Sequence, residues 1–278
     1  MKVAVVGLGL IGGSVCKALK ENTSHVIYGI NRSKGVLTKA LDAGAIDHAI
    51  VDNSDLKEID IVYICLYPET VIDFIKENVS NFKKGSIICD ACGVKSPVVY
   101  KAEKLLHGEG VFFVGTHPMA GREFSGFDYS TPKIFEGASF IITKTPETHD
   151  FAAERIKELA EAMKFGEIIF TSPEDHDRNI AFTSQLAHIV SNAYIKSPSL
   201  RSEHGFSAGS FQDLTRVAKL NEEMWTSLFL LNDKNLINEL SILIDHLDEY
   251  RQALINGDAD RLRELLKAGR LLKEGSLE

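Results

Sequence analysis

Lys2-Val3-Ala4-Val5-Val6-Gly7-Leu8-Gly9-Leu10-Ile11-Gly12-Gly13-Ser14 stands almost at the start of the chain. Its first half is a short run of small and β-branched apolar residues, the pattern of a strand buried on both faces. The run ends on G-x-G-x-x-G, and the residues from Gly12 to Lys20 take up the spacing of an amphipathic helix. In that strand–turn–helix context the motif implies a dinucleotide site. Gly7 permits the tight turn, Gly9 lets the backbone approach a pyrophosphate, and Gly12 allows close packing of helix on strand. The opening of the helix, around Leu10, Ile11 and Gly12, offers unpaired N–H donors and a positive dipole end to the phosphates. These five residues are the candidate cofactor-binding turn.

The second strand reads on the ribose. It ends Gly29-Ile30-Asn31-Arg32-Ser33, where NAD sites usually carry Asp or Glu to hydrogen-bond the 2′-hydroxyl. Asn31 removes the carboxylate that would repel a 2′-phosphate, while Arg32 and Ser33 supply a cation and a donor for one. This reading favours NADP over NAD. The other reading leaves Arg32 as a solvated surface residue and has Asn31 contact the 2′-hydroxyl of NAD.

Working outward, short runs rich in Val, Ile, Tyr and Phe predict strands at 2–6, 25–30, 59–65, 86–90, 111–116, 138–143 and 167–170. Amphipathic stretches at 12–20, 33–43, 68–79, 97–106 and 151–163 predict the intervening helices. The alternation implies a Rossmann-type, doubly wound parallel sheet covered on both faces. After Ser172-Pro173 the period changes. Apolar residues recur at three- and four-residue spacing, giving helices at about 173–196, 210–220, 222–256 (with a break) and 258–272, with Asp258 as an N-cap and Gly257 and Gly269 at helix ends. We therefore expect a dinucleotide-binding domain over residues 1–172 and an all-α domain over 173–278.

Bulk composition narrows the partners. With 31 Lys and Arg against 39 Asp and Glu the formal charge is −8, which argues against a general nucleic-acid or anionic-membrane binder. No segment reaches the roughly 20 apolar residues of a membrane span. The chain opens directly on a strand without a leader pattern, and its four cysteines make no disulfide framework. A cytoplasmic location is expected. Cys89 and Cys92 spell C-x-x-C, but no second pair completes a zinc site and Cys89 ends a strand, so both read as packed thiols. No metal is expected.

The strand at 111–116 runs into His117-Pro118-Met119-Ala120-Gly121. Ligands of an open parallel sheet bind beyond the carboxyl ends of its strands, so His117 faces the cofactor. Its imidazole suits removal of a hydroxyl proton as hydride leaves. At this point the sequence resembles the prephenate dehydrogenases. The resemblance is carried by residues 7–14, by Asp90-Ala91-Cys92-Gly93-Val94-Lys95 and by Thr116 through Gly121. It continues through Ser184-Gln185-Leu186-Ala187-His188, Asp213-Leu214-Thr215-Arg216 and Met224-Trp225, in order along essentially the whole chain.

The resemblance implies an enzyme of tyrosine biosynthesis that oxidises prephenate, or its amino counterpart arogenate, with loss of CO2. It implies His117 as the catalytic histidine, Arg216 as the arginine for a substrate carboxylate, His188 as a second pocket histidine and Glu123 as part of an ionic network. Trp225 corresponds to a tryptophan near the substrate. Plainer readings stand beside these: Arg216 pairs with Asp213, His188 is a satisfied histidine on an apolar helix face, and Trp225 is core. His176-Asp177 also matches and reads as structural or pocket-organising. Gly93 departs from a common serine, Arg122 from a common threonine and Gln212 from a lysine in some relatives. Family members place substrate between the two domains and pair their helical domains, which implies a homodimer; the apolar content of 228–231, 236–247 and 262–272 is compatible, unless it closes a core within the chain. Two rivals are considered. A hydroxyacid dehydrogenase would need a well-placed lysine between 173 and 220, and a non-catalytic dinucleotide sensor would not need both His117 and Arg216.

Overall fold

The computed structural model describes residues 1–122 and 124–275. Its first part is one sheet of eight strands: β1 (Lys2–Val6), β2 (Val26–Ile30), β3 (His48–Ala49), β4 (Ile61–Ile64), β5 (Ile87–Asp90), β6 (Phe112–Pro118), β7 (Ser139–Thr143) and β8 (Glu167–Thr171). They lie in the order β3-β2-β1-β4-β5-β6-β7-β8. Helices α1 (Leu10–Asn22), α2 (Lys34–Asp42), α3 (Pro68–Asn78), α4 (Ser96–Leu106) and α5 (Asp150–Ala162) alternate with the strands. Two buried clusters, one on each face, explain the unbroken apolar strands. Val3, Val5, Ile61 and Tyr63 point into one, and Ala4, Val6, Val62 and Ile64 into the other.

Chain order reverses direction across the sheet between β1 and β4, which pair in parallel. A ligand crevice opens at such a switch point, beyond the carboxyl ends of the strands. The glycine turn sits there for steric reasons. Gly7 has φ +87°, and a Cβ on it would lie 2.5 Å from the Cys65 carbonyl oxygen at the end of β4. A Cβ on Gly12 would lie 2.0 Å from the Gly7 carbonyl oxygen. Gly9, by contrast, has no protein atom within 4 Å of its Cβ position.

The sheet departs from the all-parallel expectation at one seam. β7 runs antiparallel to β6, with His117 opposite Ile141 and Pro118 opposite Phe140. Among the described residues the 119–138 connection carries short 3-10 turns and no crossover helix, and a parallel return needs such a crossover. Pairing with β7 also lengthens β6, so that His117 lies within the strand rather than after it. The two-residue β3 was too short to show a period in sequence.

Beyond β8 the chain is helical: α6 (Pro173–Ile180), a π-helical turn (Ala181–Leu186), α7 (Ala187–Tyr194), α8 (Gly209–Thr215), α9 (Glu222–Leu231), α10 (Asp233–Ile255) and α11 (Ala259–Gly275). The expected break in the long helix falls at Asn232. Asp258 caps α11 by accepting from the Arg261 N–H at 2.9 Å. Gly269 does not end a helix, because α11 runs through it to Gly275. No helix among the described residues is long and apolar enough to cross a membrane.

The steric reading separates two glycines by measurement. Gly12→Ala is expected to cost about 1–3 kcal/mol in a denaturant melt, the usual range for forcing atoms into a filled site. Gly9→Ala should stay within about 0.5 kcal/mol of the parent and instead weaken dinucleotide binding tenfold or more in a calorimetric titration. Equal stability losses would contradict the assignment of the two positions.

Candidate active site

The turn after β1 is built to receive an anion. α1 begins with no side-chain cap and no acidic residue in its first turn, so the N–H groups of Leu10, Ile11 and Gly12 are presented without an internal competitor. Gly9 is open on that side, as described above. These features fit a dinucleotide pyrophosphate. At the end of β2, Asn31 is largely spent on the protein itself. Its Oδ1 accepts the Leu8 N–H at 3.1 Å and its Nδ2 donates to the Ser33 carbonyl at 3.4 Å. Ser33 caps α2, its hydroxyl oxygen accepting the Val36 N–H. Arg32 is exposed.

Next along the crevice, β5 ends at Asp90 and leads through Gly93 to α4. Asp90 and Lys95 form an ion pair whose side chains are both 0% exposed. The Lys95 ammonium also donates to the Thr116 carbonyl, and Asp90 accepts the N–H groups of Cys92 at 2.9 Å and Thr116 at 3.1 Å. Every polar atom of the pair is thereby engaged with strand ends β5 and β6, which a buried charge requires. Cys89 and Cys92 are free, and burial pushes both thiols well up. They are packed within the core.

His117 is half-buried on β6. Its Nδ1 lies 2.9 Å from Nε2 of His176 on α6, and Nδ1 of His176 lies 2.8 Å from Oδ1 of Asp177. The Asp177 carboxylate also accepts the Lys95 N–H at 2.7 Å and the Ser96 N–H at 2.8 Å, at the start of α4. Burial, the neighbouring His176 and the Lys95 ammonium hold His117 well below the ordinary imidazole value. Burial likewise lowers His176, against the opposing pull of Asp177. Burial by itself would raise Asp177, but bonds from His176, Lys95 and Ser96 bring it below the usual carboxylate range. The outer nitrogen of His117 turns toward Gly93. A Cβ at Gly93 would stand 3.8 Å from His117 Nε2 and 3.7 Å from Leu228 on α9.

A second cluster lies in the helical domain. The His188 ring packs on Trp225 with centroids 3.9 Å apart, and its Nδ1 meets the Ser184 carbonyl at 2.8 Å. That carbonyl belongs to the π-helical turn, the kind of local irregularity often found at functional sites. Burial and the nearby Arg216 charge lower His188, in spite of the Ser184 bond. Arg216 follows α8, is exposed, and forms no ion pair among the described residues, so the expected alternative with Asp213 is not made. Glu123 lies outside the described residues.

The structure therefore brings His188, Arg216 and Trp225 together, and separately joins His117 to His176. Among the described residues no hydrogen bond links His117 to Arg216. The two clusters are connected through α9, on which Trp225 and Leu228 are three residues apart and so share a face. Leu228 and Trp225 thus reach the Gly93–His117 corner and the His188 ring respectively. Sequence reasoning missed the partner of His117, because His176 is 59 positions away. It also left Asp90 and Lys95 without a role, and read Leu228 only as part of an apolar segment compatible with pairing. No group of three or more His, Cys, Asp or Glu among the described residues is placed to hold a metal ion.

Comparison with known proteins places this geometry. The family described as prephenate dehydrogenase, nucleotide-binding domain, matches residues 15–168, and its dimerization domain matches residues 172–268. A prephenate dehydrogenase of Bacillus subtilis (strain 168) is 31% identical over 98% of this chain and 75% of its own length. The prephenate dehydrogenase from A. aeolicus, solved in complex with hydroxyphenyl propionate and NAD+, superposes with TM-score 0.88 at 28% identity, covering 100% of this chain and 98% of that one. The Synechocystis arogenate dehydrogenase gives TM-score 0.86 at 26% identity, covering 99% of this chain and 100% of that one.

The buried ion pair supplies the test of this architecture. Lys95→Met leaves the Asp90 charge unpaired in the interior, which typically costs about 3–5 kcal/mol. Chemical denaturation should read that loss; a change under about 1 kcal/mol would mean that the pair is not closed to water.

Proposed function

The chain belongs to the prephenate dehydrogenase family, and on that premise we propose that it oxidises prephenate to 4-hydroxyphenylpyruvate with loss of CO2. The observation that carries the reading is a half-buried histidine, His117, at the carboxyl end of β6, on the same edge of the parallel strands as the glycine turn after β1. Its inner nitrogen is held by His176 and its outer nitrogen is turned toward the crevice. A bound nicotinamide would accept the hydride from the ring carbinol carbon. The protein's own part is the proton. His117, kept neutral by burial and by the Lys95 charge, takes the hydroxyl proton; the electron pair of the breaking C–CO2 bond then completes the aromatic ring, and the ring oxygen recovers the proton to give the phenol. Arg216 binds a substrate carboxylate, for which an exposed guanidinium with no ion-pair partner among the described residues is suited. His188, with its ring fixed by Trp225 and Ser184, forms the adjoining wall.

Arogenate is the second reading, since the Synechocystis relative acts on it and the two substrates differ only in a side-chain amino or keto group. Among cofactors, the sequence-based preference for NADP now rests mainly on Arg32, because Asn31 and Ser33 are engaged with the backbone. We propose NAD as the working cofactor, with Arg32 setting the tolerance for NADP. The family's dimerization domain spans the helical part. Of the apolar side chains expected to drive pairing, Leu236 is buried within the chain, but Leu230, Ile237, Ile244, Leu247, Leu266 and Leu272 are at 50% exposure or more in the single chain. A homodimer through these helices, with the functional division of the chain at residue 172, follows. Four free cysteines suit a reducing, cytoplasmic setting.

Steady-state assays of the purified protein on prephenate and arogenate, each with NAD and NADP, test the activity directly; no turnover with any pair would end the proposal. In the same assay His117→Asn should lower kcat by about two decades or more, the scale of general-base assistance, with cofactor affinity retained. Arg216→Ala should chiefly raise KM. Arg32→Ala should lower the NADP-to-NAD ratio of kcat/KM at least about tenfold, as expected for losing one phosphate contact; an unchanged ratio removes Arg32 from cofactor selection. Light scattering at micromolar concentration should give twice the 30.7 kDa chain mass, and a monomer would overturn the dimer.

A further inference from the structure

The family comparison gives His117 a neighbourhood but not a proton, and the hydrogen-bond chain behind it does. Asp177 is held below the usual carboxylate range, so it is ionised and can only accept. The His176 Nδ1 facing it at 2.8 Å must therefore carry the hydrogen. His176 is buried, with 0% of its side chain exposed, and its basicity is lowered. A neutral imidazole protonated on Nδ1 has a bare Nε2. That bare nitrogen faces Nδ1 of His117 at 2.9 Å, so His117 in turn carries its hydrogen on Nδ1. Its Nε2, toward Gly93, is left with a lone pair.

We propose that His176 and Asp177 are positioning residues that lock His117 in the Nδ1-protonated form, leaving Nε2 as the base. They act from the helical domain on a histidine of the sheet, so the active tautomer exists only when the two domains are docked. The docking is built into the same carboxylate. Asp177 also receives the N–H groups of Lys95 and Ser96, while Asn232 on the loop between α9 and α10 donates to its backbone carbonyl at 2.8 Å. The other charged groups at this corner, Lys95 and Asp90, are paired with each other. The Lys95 ammonium disfavours a second proton on either ring. The logic is that of a nucleophile's base oriented by a third group, with a second imidazole inserted between base and carboxylate.

This inference rests on His117 as the proton acceptor, and its test separates the two claims. Nitrogen-15 NMR of the histidine rings in the full chain at pH 7.5, with His117 assigned by comparison with His117→Asn, should show pyrrole-type Nδ1 and pyridine-type Nε2. Protonation on Nε2 would overturn the proposal whether or not the enzyme turns over. The second arm uses turnover. In His176→Gln the amide oxygen can accept from His117 and the amide N–H can donate to Asp177, so kcat should stay within about tenfold of the parent. In His176→Leu the polarity is lost and kcat should fall about a hundredfold or more, with KM changed little, as for a misdirected general base. Equal kcat in the two variants would overturn the relay while leaving the dehydrogenase reading untouched. Should His176→Leu fail to fold, the NMR arm decides alone.

Discussion

The carboxylate of Asp177 bridges the sheet domain and the helical domain. It leaves water at the seam and is compensated by the imidazole of His176 on its own helix and by two backbone N–H groups from the other domain. An ionised group buried without such partners would cost several kcal/mol, so the docked arrangement is the one in which its hydrogen-bonding capacity is met. The N–H groups it receives stand at the beginning of α4, where a helix has donors to spare and favours negative charge. The helical domain therefore supplies a cap that the first domain lacks. The geometry around His117 is a consequence of that capping.

The rest of the site is layered on the same seam. Gln185 of the π-helical turn donates to the Leu228 carbonyl on α9, and Asn232 bridges Gln185 to the Asp177 backbone. This buried, mutually satisfied network fixes the path of α9 and with it the two side chains, Leu228 and Trp225, that face the two histidine clusters. On the sheet side, the Asp90–Lys95 pair ties the ends of β5 and β6 together beneath His117. Such a pair is weak evidence for stability, since desolvation offsets most of its Coulomb energy. Its clearer effect here is electrostatic: a fixed cation beside His117 favours the neutral ring that a base must be.

How far the sequence could be read follows from the range of each signal. The first strand, turn and helix were legible because their determinants are adjacent: apolar residues in Val3–Val6 and glycines where a Cβ would strike Cys65 or Gly7. The passage from alternating strands and helices to a helical run was legible because hydrophobic period is a local property. Asp258 capped as expected, whereas Gly269, misread as a stop, lies inside α11, where a glycine is tolerated at modest cost. What sequence did not show at the end of β2 is local competition: the Asn31 and Ser33 side chains accept the backbone N–H groups of Leu8 and Val36.

The chain's order of residues determined the elements, the anion-receiving turn and the identity of the candidate base, since each depends on neighbours within a few positions. Tertiary structure alone decided the reversal of β7, the extension of β6 over His117, and the pairing of His117 with His176. These arise between segments far apart along the chain, where distance is set by how strands and helices pack. A histidine's type is written in sequence; which of its nitrogens holds the proton is settled by whatever the fold brings against it.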